Sequence, residues 1–334
     1  MKKSLIYLFS LLCMLTLVTS CSDDEKGGTD DAWKEISKDY TSDKLSIGTV
    51  STSGTISVNA ASADKATIIL NNVVAGESSV SVDATLTKTD AGYAFEGEST
   101  ATTCNVKVSG TIENGKLTAA ISRTLTSALA GTLNLNYVPY MNDMQIAQAH
   151  ALFNTGDAQM DAMLNGMAAP VVGQLIAKEV KSVTVNLGEE GTFSFSFKKV
   201  GASEETVMPP AKLQEMIKSY LTWYEKENVL YLAVYKDALT ILSGLNILPE
   251  NIDLETILGL LTVEGDYYTL PLQVKEEDGL TTIYLNKDIL VKAWEVAKPL
   301  VGNIQDETIQ SILAMVDQVM AKAKEIEFGL VFKK

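Results

Sequence analysis

Histidine is nearly absent: His150 is the only one in 334 residues. A single imidazole leaves Ser-His-Asp, Cys-His and His-rich metal arrangements either impossible or short of a second ligand. Cysteine is scarce too, and Cys13, Cys21 and Cys104 offer neither a disulfide framework nor a zinc cluster. No Gly-x-Ser-x-Gly elbow, phosphate-binding loop or dinucleotide fingerprint occurs, and no acidic stretch has the spacing of a calcium loop. No cofactor and no metal is therefore expected. Basic residues are in deficit, with 27 Lys and Arg against 42 Asp and Glu, a formal charge of −15. So acidic a chain repels nucleic acid and anionic lipid headgroups, which removes both from the expected partners. The apolar run at residues 5–18 is about fourteen residues long, short of the roughly twenty that span a bilayer as a helix.

That run carries the clearest signal present. Lys2 and Lys3 precede it, and Val18-Thr19-Ser20-Cys21 ends it with small residues before a cysteine. This is the pattern of a bacterial lipoprotein signal peptide, with residues 1–20 removed and Cys21 acylated at its thiol and amine. The partner it implies is a membrane, held through an N-terminal lipid anchor. Without Lys2 and Lys3 the mature chain would carry 25 basic and 42 acidic side chains, a balance of −17. Residues 21–40 begin with Ser22-Asp23-Asp24-Glu25 and Gly27-Gly28, too polar to bury a core, and are expected to form an acidic flexible tether. A lipidation cysteine followed at once by Ser-Asp-Asp-Glu resembles the export signal of Bacteroidetes surface lipoproteins. The resemblance implies display on the outer face of the outer membrane, with a periplasm-facing position as the alternative.

Residues 41–140 read as strands. Alternating runs at 44–50, 55–60, 66–71, 79–86, 93–97, 105–112, 116–122 and 132–138 recur about every ten residues. Turn residues separate them, Asn114-Gly115 most clearly, because Asn-Gly accepts the positive φ angles of a two-residue hairpin. An up-and-down meander closed as a barrel, or folded as a sandwich, would protect its edges. The stretch from Leu70 through Val73-Val74-Ala75-Gly76-Glu77, then Tyr93-x-Phe95-x-Gly97 and Val106-x-Val108-x-Gly110-x-Ile112, resembles the β-domain of calycin-like Bacteroidetes lipoproteins of uncharacterised function. It implies an all-β meander, a calycin-like barrel or sandwich, and brings no catalytic residue.

Residues 141–334 are expected to form an α+β domain with a mostly antiparallel sheet and inserted helices. A helix from Asp157 places Met160, Met163, Leu164, Met167, Val171, Leu175 and Ile176 at three-four spacing, with a kink expected at Pro170. A hairpin at 182–187 and 192–199 follows, in which Phe193, Phe195 and Phe197 should be buried and Ser194 and Ser196 wet. Helices are expected at 145–153, 211–224, 237–245, 253–261, 288–300 and 306–324. Strands are expected at 229–235, 267–275, 281–285 and 326–332.

Paired carboxylates could hydrolyse a glycosidic bond without histidine. The pairs Glu189-Glu190, Glu204-Glu205 and Glu276-Glu277-Asp278 all fall in expected turns, where charge is ordinary. Aromatics crowd Tyr220, Trp223, Tyr224, Tyr231 and Tyr235. Exposed rings near a helix end stack on sugars or anchor protein interfaces, which makes Tyr220, Trp223 and Tyr224 the candidate ligand-binding residues. The expectation is a lipid-anchored, non-catalytic binding lipoprotein for a glycan or protein. The alternatives are a carrier of a small apolar ligand in a barrel or groove, and a carboxylate-based hydrolase.

Overall fold

The structure is a computed structural model that describes residues 31–41, 44–47, 53–209, 220–236, 238, 258–301 and 307–334. The signal peptide and Cys21 lie outside the described residues, as do most of the helices expected between 211 and 261. Trp33–Lys334 form one compact unit. It is mostly β, built from two curled sheets and few helices.

After a short helical turn, α1 (Ala32–Glu35), come β1 (Lys38–Tyr40), β2 (Leu45–Ile47), β3 (Thr55–Ser62), β4 (Lys65–Asn71), β5 (Ser79–Lys88), β6 (Gly92–Thr100), β7 (Cys104–Glu113) and β8 (Lys116–Leu125). β3 to β8 pair in sequence as antiparallel neighbours, the meander expected from the period-2 pattern. Asn114 and Gly115 take φ of 52° and 73°, as the two-residue turn requires. β1 pairs with β3 at one edge of this sheet, and β2 runs parallel to β8 at the other. Laid flat at about 4.8 Å per strand, eight strands would hold those edges roughly 34 Å apart. The link from Tyr40 to Leu45 reaches at most about 18 Å. The sheet therefore rolls toward a barrel. Its inward positions, among them Ile56, Val58, Ile68, Leu70, Val82, Phe95, Val106 and Leu117, are buried and fill the interior.

The second sheet draws on β9 (Gly131–Leu135), β12 (Ala149–Asn154), β13 (Val180–Leu187), β14 (Phe193–Lys199), β15 (Thr206–Met208), β16 (Leu221–Lys226), β17 (Val229–Tyr235), β18 (Thr262–Glu264), β19 (Tyr267–Glu277), β20 (Leu280–Asn286) and β21 (Glu325–Lys333). A separate small hairpin joins β10 (Tyr137–Pro139) to β11 (Gln145–Ala147). The strand expected at 132–138 thus divides, and its first half belongs to the second sheet beside β13 and β21. The helix expected at 145–153 is strand, because β12 pairs along Glu325–Leu330 of β21.

Register gathers apolar side chains on one face of this second sheet and a mixture of polar and apolar ones on the other. Phe153 opposes Ile326, Leu330 opposes Ile283, Leu135 opposes Phe332, Val185 opposes both Leu133 and Phe195, and Trp223 opposes Leu232, all on one apolar face. The opposite face carries His150, Tyr284, Gln273, Glu327 and Lys275. The sheet curls as well. β16 lies at one end of the strand order, yet Trp223 donates through Nε1 to the Gly188 carbonyl and through its backbone N–H to the Gly191 carbonyl, both at 2.9 Å. Six strand spacings of a flat sheet would separate β16 from β13 by roughly 29 Å.

Three helices follow: α2 (Ala158–Glu179), α3 (Lys287–Val301) and α4 (Glu307–Lys322). Asp157 caps α2, accepting from the N–H groups of Gln159 and Met160 at 2.9 and 3.1 Å. Leu164 of α2, Leu290 of α3 and Val319 and Met320 of α4 pack with Phe153 and Ile326, which places all three helices on the apolar face.

Candidate functional site

Trp223 and Tyr224 lie in a strand, not a helix. Leu221–Lys226 is the strand β16, and the side chains of Trp223 and Tyr224 are 0% and 1% exposed, so neither offers a face to a ligand. Tyr220 is half-buried, its ring 6.4 Å from that of Tyr235. These aromatics instead weld the two sheets together. Gly76, at the β4–β5 turn, lies against the Tyr224 ring, which stacks on Tyr231 at 4.8 Å and donates its hydroxyl to Glu264 Oε2 at 2.6 Å. Burial and that carboxylate push the Tyr224 phenol far above its ordinary range.

Beside them Arg123 of β8 reaches across the junction. It donates through Nη1 to the Ala75 carbonyl at 2.9 Å, and through Nη2 to Thr222 Oγ1 and to the Trp223 carbonyl at 3.1 Å. Loss of water lowers its pKa, and neutral oxygens accept these hydrogen bonds. A second tie joins Asp266, which is buried, to Ser53: the Ser53 N–H donates to Oδ2 at 2.8 Å and the hydroxyl donates to Oδ1. This is structural chemistry: hydrogen-bonded polar groups inside a continuous core that runs from Ile36 to Phe332.

His150 lies on β12, where Nε2 meets Glu327 Oε2 at 2.7 Å and the ring sits 5.2 Å from that of Tyr284. Tyr284 has its phenol pKa raised by burial and by Glu327. The three form a cross-strand cluster on the polar face of the sheet. The carboxylate pairs are all exposed, Glu189-Glu190 and Glu204-Glu205 in loops and Glu276-Glu277 at the end of β19, where the turn begins at Asp278. Glu276, Glu277 and Asp278 line a shallow depression of about 290 Å³ with Leu280, Thr281 and Lys334, and Lys275 balances Glu277 at 2.8 Å. Among the described residues, no three His, Cys, Asp or Glu side chains converge to hold a metal ion.

The unusual surface is apolar. In the middle of β14 the expected polarity is reversed: Phe193 packs against the core as expected, but Ser196 is buried, donating to Glu205 Oε1 at 2.8 Å, while Phe195 is 41% exposed. The β14–β15 loop covers the serine side and leaves the phenylalanine side open. Directly across from Phe195 on β15 stands Met208, 37% exposed. On α2 the expected apolar stripe divides. Leu164 and Ile176 pack inward, and Gly173 lies so close to β11 that a Cβ would fall 2.2 Å from the Ala147 carbonyl oxygen. Met163, Met167, Val171 and Leu175 are 48, 59, 47 and 60% exposed. Residues 162–177 contain no charged side chain, so the helix is apolar on both faces and only one is covered. The missing charge was the legible sign of an open face; Met208, next to Pro209-Pro210, carried none.

Among the described residues no helix is long and apolar enough to cross a membrane. Comparison with protein-family models, with curated proteins and with solved structures finds no match for this chain.

Proposed function

We propose that this chain is a lipid-anchored, non-catalytic binding lipoprotein of the outer membrane, displayed on the cell surface, and that its ligand is a small apolar molecule. A calycin-like β-domain built on the first sheet would follow the tether from Cys21, and the part built on the second sheet would carry the site. The observation behind the choice of ligand is Phe195 facing Met208 across β14 and β15, both open to solvent on the apolar face of a curled sheet. An open apolar patch on a sheet that also bears α2 suits alkyl chains or flat hydrophobic ligands. A glycan platform is less well supported, because Trp223 and Tyr224 are buried. The filled interior of the first sheet favours the second sheet as the binding place.

The test is native mass spectrometry of the chain from residue 21 with Cys21→Ser, together with displacement of a fluorescent fatty-acid probe. A retained apolar mass, or probe binding weakened at least tenfold by Phe195→Asp, is the expected result. A clean apo mass with no probe binding would overturn the proposal.

A further inference from the structure

The outward face of α2 asks for an occupant different from a small molecule. Met163, Met167, Val171 and Leu175 stand at intervals of four and form one stripe, flanked by the exposed, uncharged Ala162 and Gly166. Over its sixteen residues, 162–177, the average frequency of charge in this chain, 21%, would place about three charged side chains, and there are none. Asp161 at one end and Lys178 at the other bound the strip. Where the body is otherwise acidic, this strip meets an apolar phase without stripping water from a carboxylate. Methionine suits such a phase, because its unbranched thioether adapts to a partner without fixed shape.

The occupant is set by reach. Asp31, the first described residue, lies ten positions after Cys21, and a fully extended chain of that length covers at most about 36 Å. A body held so short stays beside the surface that holds its acyl chains. We infer that the outward face of α2 seats on a zwitterionic lipid surface, its methionines and leucine at the acyl boundary and its axis in the membrane plane. This rests on the lipid anchor proposed for Cys21. Choline-type headgroups are the chemistry that fits, since the acidic body repels anionic ones. A helix lying in the interface needs one apolar side for lipid, and here the protein takes the other side.

The experiment is flotation of the Cys21→Ser chain with phosphatidylcholine vesicles, so that no acyl chain contributes. The unacylated protein is expected to float, and the triple variant Met163→Glu, Met167→Glu, Leu175→Glu to lose at least tenfold in vesicle partitioning while keeping its thermal midpoint. Wild-type protein that stays in the dense fraction, or a triple variant that floats equally, would overturn the inference. So would a dimer mass in light scattering that the same substitutions dissolve, because the face would then belong to a second copy. Native mass spectra of the same samples separate this inference from the ligand proposal. A retained apolar mass without flotation sinks the membrane contact alone, and flotation with a clean apo mass and no probe binding sinks the ligand alone.

Discussion

Gly76 rests against the ring of Tyr224 so closely that a Cβ would fall 2.7 Å from Cδ2, and its φ is +86°. One residue of the first sheet's turn thus seats an aromatic of the second. Gly76→Ala adds a clash and a left-handed alanine together, and should destabilise by about 2–4 kcal/mol. Urea unfolding of the variant against the parent chain measures it, and a loss below half a kilocalorie would mean that the junction yields easily.

Arg123 ties the Ala75 carbonyl to the Trp223 carbonyl and to Thr222. Truncation to alanine leaves part-buried acceptors without a donor, and should cost on the order of 2–3 kcal/mol. Arg123→Lys should recover only part, because an ammonium lacks the planar fork that reaches three oxygens. Equal midpoints for the lysine variant and the parent would show that charge alone suffices.

Tyr40 is fully buried, donates its hydroxyl to the Ile36 carbonyl at 3.0 Å, and has its phenol pushed up to about 12 by burial. The folded state holds the proton more tightly than the unfolded chain, whose phenol titrates near 10. Its contribution is therefore fully present below about pH 10 and is lost as pH rises through 12. Stability should be flat from neutral pH to about 9.5 and fall above it, and Tyr40→Phe should make the alkaline fall shallower while lowering stability at pH 7 by about 1 kcal/mol. Tyr224 and Tyr267 are raised by burial as well, so some alkaline loss should persist in the variant.

Cys104 opens β7, is fully buried, and has its thiol pKa raised by loss of water. In a chain starting at residue 21 with Cys21→Ser it is the one remaining thiol. A disulfide reagent at pH 8 should find no reactive thiol in the native protein and one after denaturation. Rapid native labelling would show that the β6–β7 end of the first sheet opens on its own.

Period-2 alternation was readable where one face of a strand meets the core, most clearly in β3 to β8. It failed where pairing partners are distant. Gln145 to Phe153 is rich in Ala, Gln and Leu, residues at ease in a helix, but β10 draws its first three residues into a strand and β21, some 177 positions away, draws in the rest from Ala149. Leu221-Thr222-Trp223-Tyr224 follows a proline pair that suggested a helix start. The better clue stood downstream, since Glu227 and Asn228 both take positive φ in the tight turn to β17. Polarity alone misjudged the exposure of Phe195 and Ser196 in β14, because a hydrogen bond from Ser196 to Glu205 covers the serine side. Arg123 had no local signature, its partner Thr222 lying 99 residues away.

The placement of β1 and β2 at opposite edges of the first sheet has a mechanical side. Any load arriving from the N-terminal end enters the body at Trp33, Ile36 and β1, a three-residue strand held to β3, before it can reach the six-strand meander. The seam is then the weak link in tension. Tugging should open the roll at its edge and leave β3 to β8 paired, so the strand nearest the tether acts as a mechanical fuse for the rest of the fold.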